Sequence, residues 1–306
     1  MRRLLLWMAR NRFLRTNLPK LWFAKRAVRR FMPGEEASSA LDAAAKFQAE
    51  GIRAEFTRLG ENVTNLSEGD ETAEHYLGLL ADIEARGLDG EVSLKLTQLG
   101  YDLDVDRTLE HARRLASKAG EAGRTLWVDM EGSSYAEGTI SFYERLKATH
   151  PNTGLCLQSY LRRTAADIAR LMPLEPRIRL VKGAYAEPES IAFRSHDDVD
   201  RSYVELAVAL LEGRKNGGDV RLGLGTHDIR LIEQIAEQAT GMGLPKTSFE
   251  VQMLYGIRMD QQRRLVREGY VVRDLISYGH AWYPWYMRRL AERPANVIFA
   301  LRQIIG

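Results

Sequence analysis

Two adjacent arginines near the end of the chain, Arg288 and Arg289, are the strongest candidates for binding a substrate. Glu292 follows them by four and three residues, so on a helix its carboxylate can brace either guanidinium. Pro284 suits the first turn of that helix and Pro294 suits its end. Because planar guanidinium groups hold a carboxylate through paired hydrogen bonds, the pattern predicts a clamp for a small acid. The alternative is a solvated helix that carries the same residues without a ligand.

A second basic pair, Arg179 and Lys182, belongs to the apolar run 178–182. Gly183 follows it and would let the backbone approach a ligand closely. These residues favour an anion, since a phosphate or pyrophosphate group would suit Lys182 and Arg179 could donate a hydrogen bond to a ring nitrogen. The alternative is a salt bridge to Asp or Glu on an adjacent strand.

Lys95 lies inside the apolar run 92–96, where an unpaired ammonium group is costly to bury. Its side chain therefore either forms an ion pair or holds a substrate or a catalytic carboxylate at the mouth of the fold. Asp129, in the run 126–130, is the expected partner. Glu131 lies two residues further on the same side, so repulsion between the two carboxylates could raise the pKa of one of them.

His227 follows Thr226 just after the run 220–225, where a turn leads into a helical segment. Imidazole can bind a metal ion, but the six histidines of the chain have no metal-ligand spacing. We therefore expect no metal centre. A hydrogen bond from His227 to a cofactor, or a supporting role behind the residues that touch it, is the favoured interpretation.

Eight short apolar runs must position these side chains. Each has the length of a buried strand, and most are followed by a segment with helical periodicity, such as 139–149, 165–172, 199–211 and 229–239. The runs are 52–56, 92–96, 126–130, 155–160, 178–182, 220–225, 249–254 and 275–278.

Polar residues fall at or just beyond the carboxyl ends of six of these runs. Such ends meet at one mouth in a (βα)₈ barrel, whereas an open sheet binds ligands mainly at a switch point. No Gly-rich dinucleotide-binding turn follows the first run. The predicted fold is therefore an α/β barrel of the TIM type over residues 51–306, closed by a helix over 282–293. The six polar residues are Lys95, Asp129, Gln158, Lys182, His227 and Gln252.

The N-terminal arm, residues 1–50, begins with a strongly basic stretch. Residues 1–34 contain ten Lys and Arg and no acid, so the net charge of +3 leaves 34 basic against 41 acidic residues in the remainder. No apolar stretch in the arm approaches the ~20 residues that span a bilayer. Three interpretations stay open: packing on the barrel, docking on a membrane or partner, and a cleaved targeting segment.

The composition of the rest of the chain excludes several classes of protein. The basic pattern does not continue past the arm, so we expect no nucleic-acid partner. The single cysteine, Cys156, excludes an internal disulfide and fits a reducing compartment. We expect a cytoplasmic protein, with contact to the inner face of the membrane as an open possibility through the arm.

Seven segments, taken in order, together resemble the proline dehydrogenase family, and the resemblance extends from about residue 41 to residue 302. Any one of them is a weak signal, but their succession on consecutive predicted strands is specific. The segments are 93–96, 129–131, 157–160, 179–185, 225–227, 249–256 and 286–292.

The resemblance implies a distorted barrel with a final helix over the mouth and a non-covalent FAD. The implied reaction oxidises L-proline to Δ¹-pyrroline-5-carboxylate and passes electrons to a quinone, and a separate pyrroline-5-carboxylate dehydrogenase would consume the product. Lys95, Arg288 and Arg289 would bind the substrate carboxylate, Asp129 would support the site, and Glu292 would orient the arginines. The substrate ring would lie near Tyr185, Leu254, Leu275, Tyr278 and Tyr286. The cofactor would contact Gln158, Arg179, Val181, Lys182, Gly183, Ala184, Thr226 and His227.

One position departs from the family pattern. The family carries a tyrosine four residues before Gly279, and this chain has Leu275 there. Loss of the phenol removes a wall beside the substrate ring, which would admit 4-hydroxyproline or another cyclic secondary amine. Alternatively, a shift in register would let Tyr278 fill the same space.

Two further functions compete with this interpretation. One is a barrel lyase or aldolase without flavin, in which Lys95 or Lys182 forms a Schiff base. The other is an inactive barrel that serves as a membrane-docking or regulatory module through its basic arm. Bound flavin would distinguish both from the oxidoreductase.

Overall fold

Eight strands pair in sequence order into a closed barrel, and every pairing is parallel. The computed structural model describes residues 7–8, 11–18 and 28–292, without the side chains of residues 12, 15–16, 288–289 and 291–292. The predicted (βα)₈ barrel is confirmed. Its strands are β1 (Arg53–Arg58), β2 (Gly90–Lys95), β3 (Leu126–Asp129), β4 (Thr153–Gln158), β5 (Arg177–Val181), β6 (Arg221–Gly225), β7 (Phe249–Leu254) and β8 (Val271–Tyr278).

Helices α1 (Arg12–Asn17) and α2 (Ala37–Ala49) precede the barrel, and one helix follows each strand. Their apolar faces cover the outside of the strands and form the main hydrophobic core. The helices after the strands are α3 (Leu66–Ala85), α4 (Val105–Glu121), α5 (Ala136–Lys147), α6 (Thr164–Leu171), α7 (His196–Lys215), α8 (Ile229–Gly241), α9 (Met259–Arg267) and α10 (Trp282–Glu292).

Several elements extend beyond the predicted segments because polar residues continue them. The segment predicted at 199–211 is part of α7, which begins earlier because the Ser195 hydroxyl accepts a hydrogen bond from the Asp198 amide (3.4 Å). β8 begins four residues before the predicted run at 275–278. Arg273 and Asp274 lie in that extension and are buried, and burial raises the pKa of Asp274 well above its usual range.

Four charged side chains fill the amino-terminal end of the barrel interior. Arg221 of β6 donates hydrogen bonds to Glu91 of β2 (2.7 Å) and to Glu250 of β7, and Arg273 of β8 donates to Glu250 (2.9 Å). Burial would raise the pKa of Glu91, but the attraction of Arg273 and Arg221 outweighs it and lowers that pKa to about 2. Two cations and two anions therefore compensate each other inside the barrel.

Trp127 of β3 lies between these four charged side chains and Arg179, the next charged residue of the barrel interior. Its ring lies 4.9 Å from the guanidinium of Arg179 and 5.3 Å from that of Arg221, within the range of cation–π attraction. Its indole N–H donates to Glu91 (2.8 Å). Gly154 on the neighbouring strand leaves room for the indole, because a Cβ there would lie 2.4 Å from a ring carbon of Trp127.

We predict that Gly154→Ala lowers the free energy of unfolding by about 1–3 kcal/mol, because the rigid indole cannot move aside without strain. Gly241→Ala in α8 is the control, since a Cβ there meets nothing within 4 Å and alanine favours the helix. Denaturant midpoints of the two variants measure the difference. Equal effects at both positions would contradict the packing of Trp127.

A second hydrophobic cluster joins the N-terminal arm to α10 above the barrel. Met8, Leu14 and Leu18 of the arm pack against it, and Glu35 accepts a hydrogen bond from the Trp282 indole (2.9 Å). In its described residues the arm thus packs on its own barrel, as one of the three interpretations predicts. None of the described helices combines the length and apolarity needed to cross a membrane. The buried members are Val28, Phe31, Met32, Leu59, Trp282, Tyr283, Tyr286, Met287 and Leu290.

Candidate active site

A cavity of about 610 Å³ opens at the carboxyl end of the barrel, within the volume range of small-molecule sites. All eight strands contribute residues to its lining, because inward positions alternate along each strand. Arg30 and Phe31 of the arm and Trp285 of α10 complete it from above. We call these three residues, together with the second hydrophobic cluster, the roof.

The cavity brings together most of the residues predicted for the site. The backbone of Arg288, Arg289 and Glu292 belongs to α10, but their side chains lie outside the described residues. The predicted residues that line the cavity are Lys95, Asp129, Gln158, Arg179, Val181, Lys182, Gly183, Ala184, Tyr185, Thr226, His227, Leu254 and Leu275.

Two predicted substrate-binding tyrosines do not line the cavity. Leu275 and Ser277 occupy the inward positions of β8, so Tyr278 faces the helices, where its hydroxyl hydrogen-bonds His75 Nε2 (2.8 Å). The alternative in which Tyr278 fills the space beside Leu275 is therefore wrong. Tyr286 packs within the roof, where the centroid of its ring lies 5.8 Å from the centroid of the Phe31 ring. Burial raises the pKa of the Tyr286 hydroxyl to about 12.

Lys95 and Asp129 are neighbours in the strand register but do not form the expected ion pair. Asp129 instead accepts a hydrogen bond from the Ser93 hydroxyl (2.9 Å) and lies 3.7 Å from Arg179 Nη1. Among the described residues, no carboxylate oxygen lies within 4 Å of the Lys95 ammonium. The Lys95 ammonium is therefore placed to contact a ligand in the cavity.

Glu131 has a raised pKa, as expected, but for a different reason. Burial is the main cause, while Thr97, whose hydroxyl donates to Glu131 (2.9 Å), and the nearby Lys95 oppose it. Repulsion from Asp129 is not among the causes. Burial, rather than crowding by Asp129, is therefore the main cause of this shift.

Arg179 forms a salt bridge, although not with an adjacent strand. Its Nη2 lies 2.5 Å from Glu55 Oε1, and Glu55 belongs to β1 on the opposite side of the barrel. Burial raises the pKa of Glu55 to about 7, with Arg179 opposing the shift and Glu91 and Asp129 adding to it. The sequence analysis did not identify Glu55 as a site residue. A single acid inside the apolar run 52–56 has the pattern of a solvent-exposed position on an edge strand.

Lys182 is also paired in this structure. Its ammonium lies 2.5 Å from Asp200 of α7 and 3.2 Å from Asp228, which precedes α8. Burial alone would raise the pKa of Asp228, but the hydrogen bond from Lys182 lowers it. Lys182 thus forms salt bridges, although with acids of the helical side of the barrel and not with an adjacent strand. An anion would have to share Lys182 with these two acids.

Several buried polar atoms beside the cavity have no hydrogen-bond partner among the residues that the structure describes. Gln158 donates to the carbonyls of Met130 and Glu131 (3.3 Å each), but its Oε1 has no hydrogen bond within the described part of the chain. The same holds for Arg179 Nε and for both amide atoms of Gln252. Because unpaired buried polar groups are costly, this set fits a ligand with both donors and acceptors.

Gln252 was identified as a polar residue at a strand end but was not assigned to the site. The inward alternation of β7, which also carries Leu254, is the signal that would have placed it there. Gly223 on β6 makes room for it, since a Cβ there would approach the Gln252 amide to 2.6 Å.

Cys156 also lines the cavity but is a poor candidate for a nucleophile. Burial raises the pKa of its thiol to about 12, so the reactive thiolate is scarce at neutral pH. The described residues also contain no group of three or more His, Cys, Asp or Glu that could hold a metal ion.

Known proteins resemble the chain over nearly its whole length. A sequence profile described as proline dehydrogenase matches residues 40–302. The chain is 35% identical over 306 residues to Proline dehydrogenase 1 of Bacillus subtilis subsp. natto. That alignment covers 100% of this chain and 99% of the relative. It is 35% identical over 291 residues to a proline dehydrogenase of Deinococcus radiodurans, with 94% and 91% covered.

A solved structure has the same fold. The crystal structure of proline utilization A (PutA) from Bdellovibrio bacteriovorus, inactivated by N-propargylglycine, matches 95% of this chain with a TM-score of 0.79 and 20% sequence identity. The present chain spans 38% of that longer protein. With a profile match over most of its length and relatives aligned from end to end, the chain belongs to the proline dehydrogenase family.

Proposed function

We propose that this chain oxidises L-proline to Δ¹-pyrroline-5-carboxylate with a non-covalently bound FAD in the cavity at the carboxyl end of the barrel. One observation carries the proposal: Lys95, with no carboxylate within 4 Å among the described residues, borders the same cavity as the unpaired polar atoms of Gln158, Arg179 and Gln252. The first feature suits a carboxylate substrate, and the second suits a heterocyclic cofactor.

The donor set fits a flavin. An isoalloxazine ring presents nitrogens and carbonyl oxygens that accept hydrogen bonds and one N–H that donates, so it offers partners of both kinds. Gly183 has φ +113°, and a Cβ there would lie 2.2 Å from the Tyr160 ring, so only glycine suits this turn. We assign the cofactor contacts to Gln158, Arg179, Val181, Lys182, Gly183, Ala184, Thr226 and His227, and add Gln252.

When bound, FAD would supply the two-electron oxidation, in which a hydride leaves C5 of the proline ring and a quinone is the final electron acceptor. The contribution of the chain is to hold and orient the substrate. Lys95 would bind the carboxylate together with Arg288 and Arg289, with Glu292 orienting the arginines. Asp129 would support the site through its contacts with Ser93 and Arg179.

The rest of the cavity would exclude water and shape the substrate ring. Tyr185, Leu254 and Leu275 provide largely apolar walls, and the roof covers them. Fixing the carboxylate orients the ring against the cofactor, which is the main requirement for hydride transfer. We assign proton loss from the ring nitrogen to water and to no general base.

The reaction can be tested on purified protein by trapping the cyclic imine formed from L-proline in the presence of a soluble quinone. Lys95→Met should lower kcat/KM by about 10- to 100-fold, mostly through KM, because one charged hydrogen bond to the carboxylate is lost. Lys46→Met, on the exposed face of α2, should have no effect. Absence of flavin and of imine in the wild-type protein would overturn the proposal and leave the lyase or the docking module.

The second candidate substrate is 4-hydroxyproline or another cyclic secondary amine, favoured by Leu275 at an inward position of the cavity wall. We predict that Leu275→Tyr raises the ratio of kcat/KM for L-proline over trans-4-hydroxy-L-proline, because the phenol restores a wall beside the ring. Tyr278→Phe is the control, since that side chain faces His75 outside the cavity. A ratio unchanged by Leu275→Tyr would remove the idea.

We further propose a cytoplasmic protein that meets its quinone by peripheral contact of the arm with the membrane, and a separate dehydrogenase that consumes the product. Trp7 and Phe13 of the arm are 57% and 73% exposed, and the arm is basic. The double variant Trp7→Ser, Phe13→Ser should bind anionic vesicles at least about tenfold more weakly, as expected from ~25 cal/mol per Å² of apolar burial. Leu103→Ser, exposed near α4, should not change binding. If the double variant binds the vesicles as strongly as the wild type, the proposed membrane contact is wrong.

A further inference from the structure

A buried ion pair crosses the barrel directly below the cavity. Glu55 of β1 and Arg179 of β5 extend from opposite walls, and their side chains are 1% and 5% exposed. Arg179 Nη2 also donates a hydrogen bond to Ser93 Oγ (3.1 Å), and Nη1 lies 3.7 Å from Asp129 Oδ1. The Trp127 ring lies against the same guanidinium. Both terminal nitrogens of Arg179 are therefore held by the barrel.

This arrangement leaves Nε of Arg179 as the nitrogen for a ligand. Nε is buried and has no hydrogen-bond partner within the described residues, while the Arg179 side chain borders the cavity. The shortest contact of the guanidinium is with Glu55, and no role in binding the substrate or the cofactor has been given to that acid. Because Glu55 contacts Arg179 and is not assigned to the substrate or the cofactor, we expect any role in the site to act through Arg179.

We propose that Glu55 is a positioning residue, whose carboxylate fixes the Arg179 guanidinium and partly neutralises its charge beneath the flavin. The inference rests on the proposed function, because it concerns a bound flavin. A cation next to a flavin favours the reduced, more negative form, so the charge state of Glu55 sets part of the reduction potential.

The electrostatic surroundings give this role a pH signature. The charged groups that face Glu55 are Arg179 of β5, Asp129 of β3, Glu91 of β2 and Arg273 of β8. Burial, with repulsion from Glu91 and Asp129, raises the pKa of Glu55 to about 7 against the attraction of Arg179. Below this pH Glu55 becomes neutral and Arg179 acts as a fuller cation, whereas above it the carboxylate offsets that cation.

The test measures the midpoint potential of the bound flavin from pH 6 to pH 8 in the wild-type holoenzyme and in Glu55→Gln. The two proteins should agree at pH 6, where Glu55 is largely neutral. At pH 8 the variant should have the higher potential, with a tenfold shift in the reduction equilibrium, which is about 30 mV for two electrons. Glu137→Gln, which removes an acid that pairs with Arg163 and Arg170 on the outer helices, should follow the wild type.

The outcomes separate this inference from the proposed function. Curves that coincide at every pH would overturn the role of Glu55, while reduction of the flavin by proline would still support the function. If Glu55→Gln does not fold, Glu55→Asp replaces it: the shorter acid should weaken flavin binding about tenfold, and an unchanged dissociation constant would overturn the proposal. A wild-type protein without flavin would instead refute the proposed function.

Discussion

Every strand of a closed barrel sends alternate side chains into the interior, and in this chain many of them carry charge. A buried charge persists only where a partner compensates it. At the amino-terminal end, Glu91 and Glu250 pair with Arg221 and Arg273. At this end the two cations and two anions compensate each other.

Compensation becomes less complete toward the carboxyl end. In the middle layer Arg179 has Glu55 and a more distant Asp129, but its Nε is unpaired in the described structure. At the mouth Lys95 has no acid within ion-pairing distance among the described residues. Lys182 at the same end is paired with Asp200 and Asp228. Among the described residues, Lys95 and the Nε of Arg179 are therefore the groups that make this end of the barrel suit a ligand. The glycines at positions 154 and 223 leave space for the large interior side chains of Trp127 and Gln252.

Much of the fold and part of the site follow from the sequence pattern. Apolar runs with a polar residue at their carboxyl ends predict parallel strands that converge on one mouth. The sequence alone therefore places Lys95, Asp129 and Gln158 together, as the cavity lining confirms. The sequence of the arm allows three interpretations, because packing on the barrel and docking on a membrane require the same amphipathic pattern.

The remaining features depend on which way a side chain points, and periodicity alone does not reveal this for mixed runs. Glu55 looks like a polar interruption of a strand, although it faces Arg179 across the interior. Tyr278 looks like a wall of the mouth, but the alternation of β8 turns it toward His75. The burial of Arg273 could not be predicted from the sequence, because its partner Glu250 belongs to another strand.

The central claim is that the cavity at the carboxyl end of the barrel holds a flavin that a cyclic amino acid can reduce. The most direct measurement is an anaerobic titration of the purified protein, following the flavin absorbance bands while L-proline and, separately, trans-4-hydroxy-L-proline are added. Bleaching by L-proline is the predicted result, and bleaching by the hydroxylated ring alone would keep the cofactor and change the substrate. A protein without flavin bands, or with bands that neither amino acid alters, would contradict the claim.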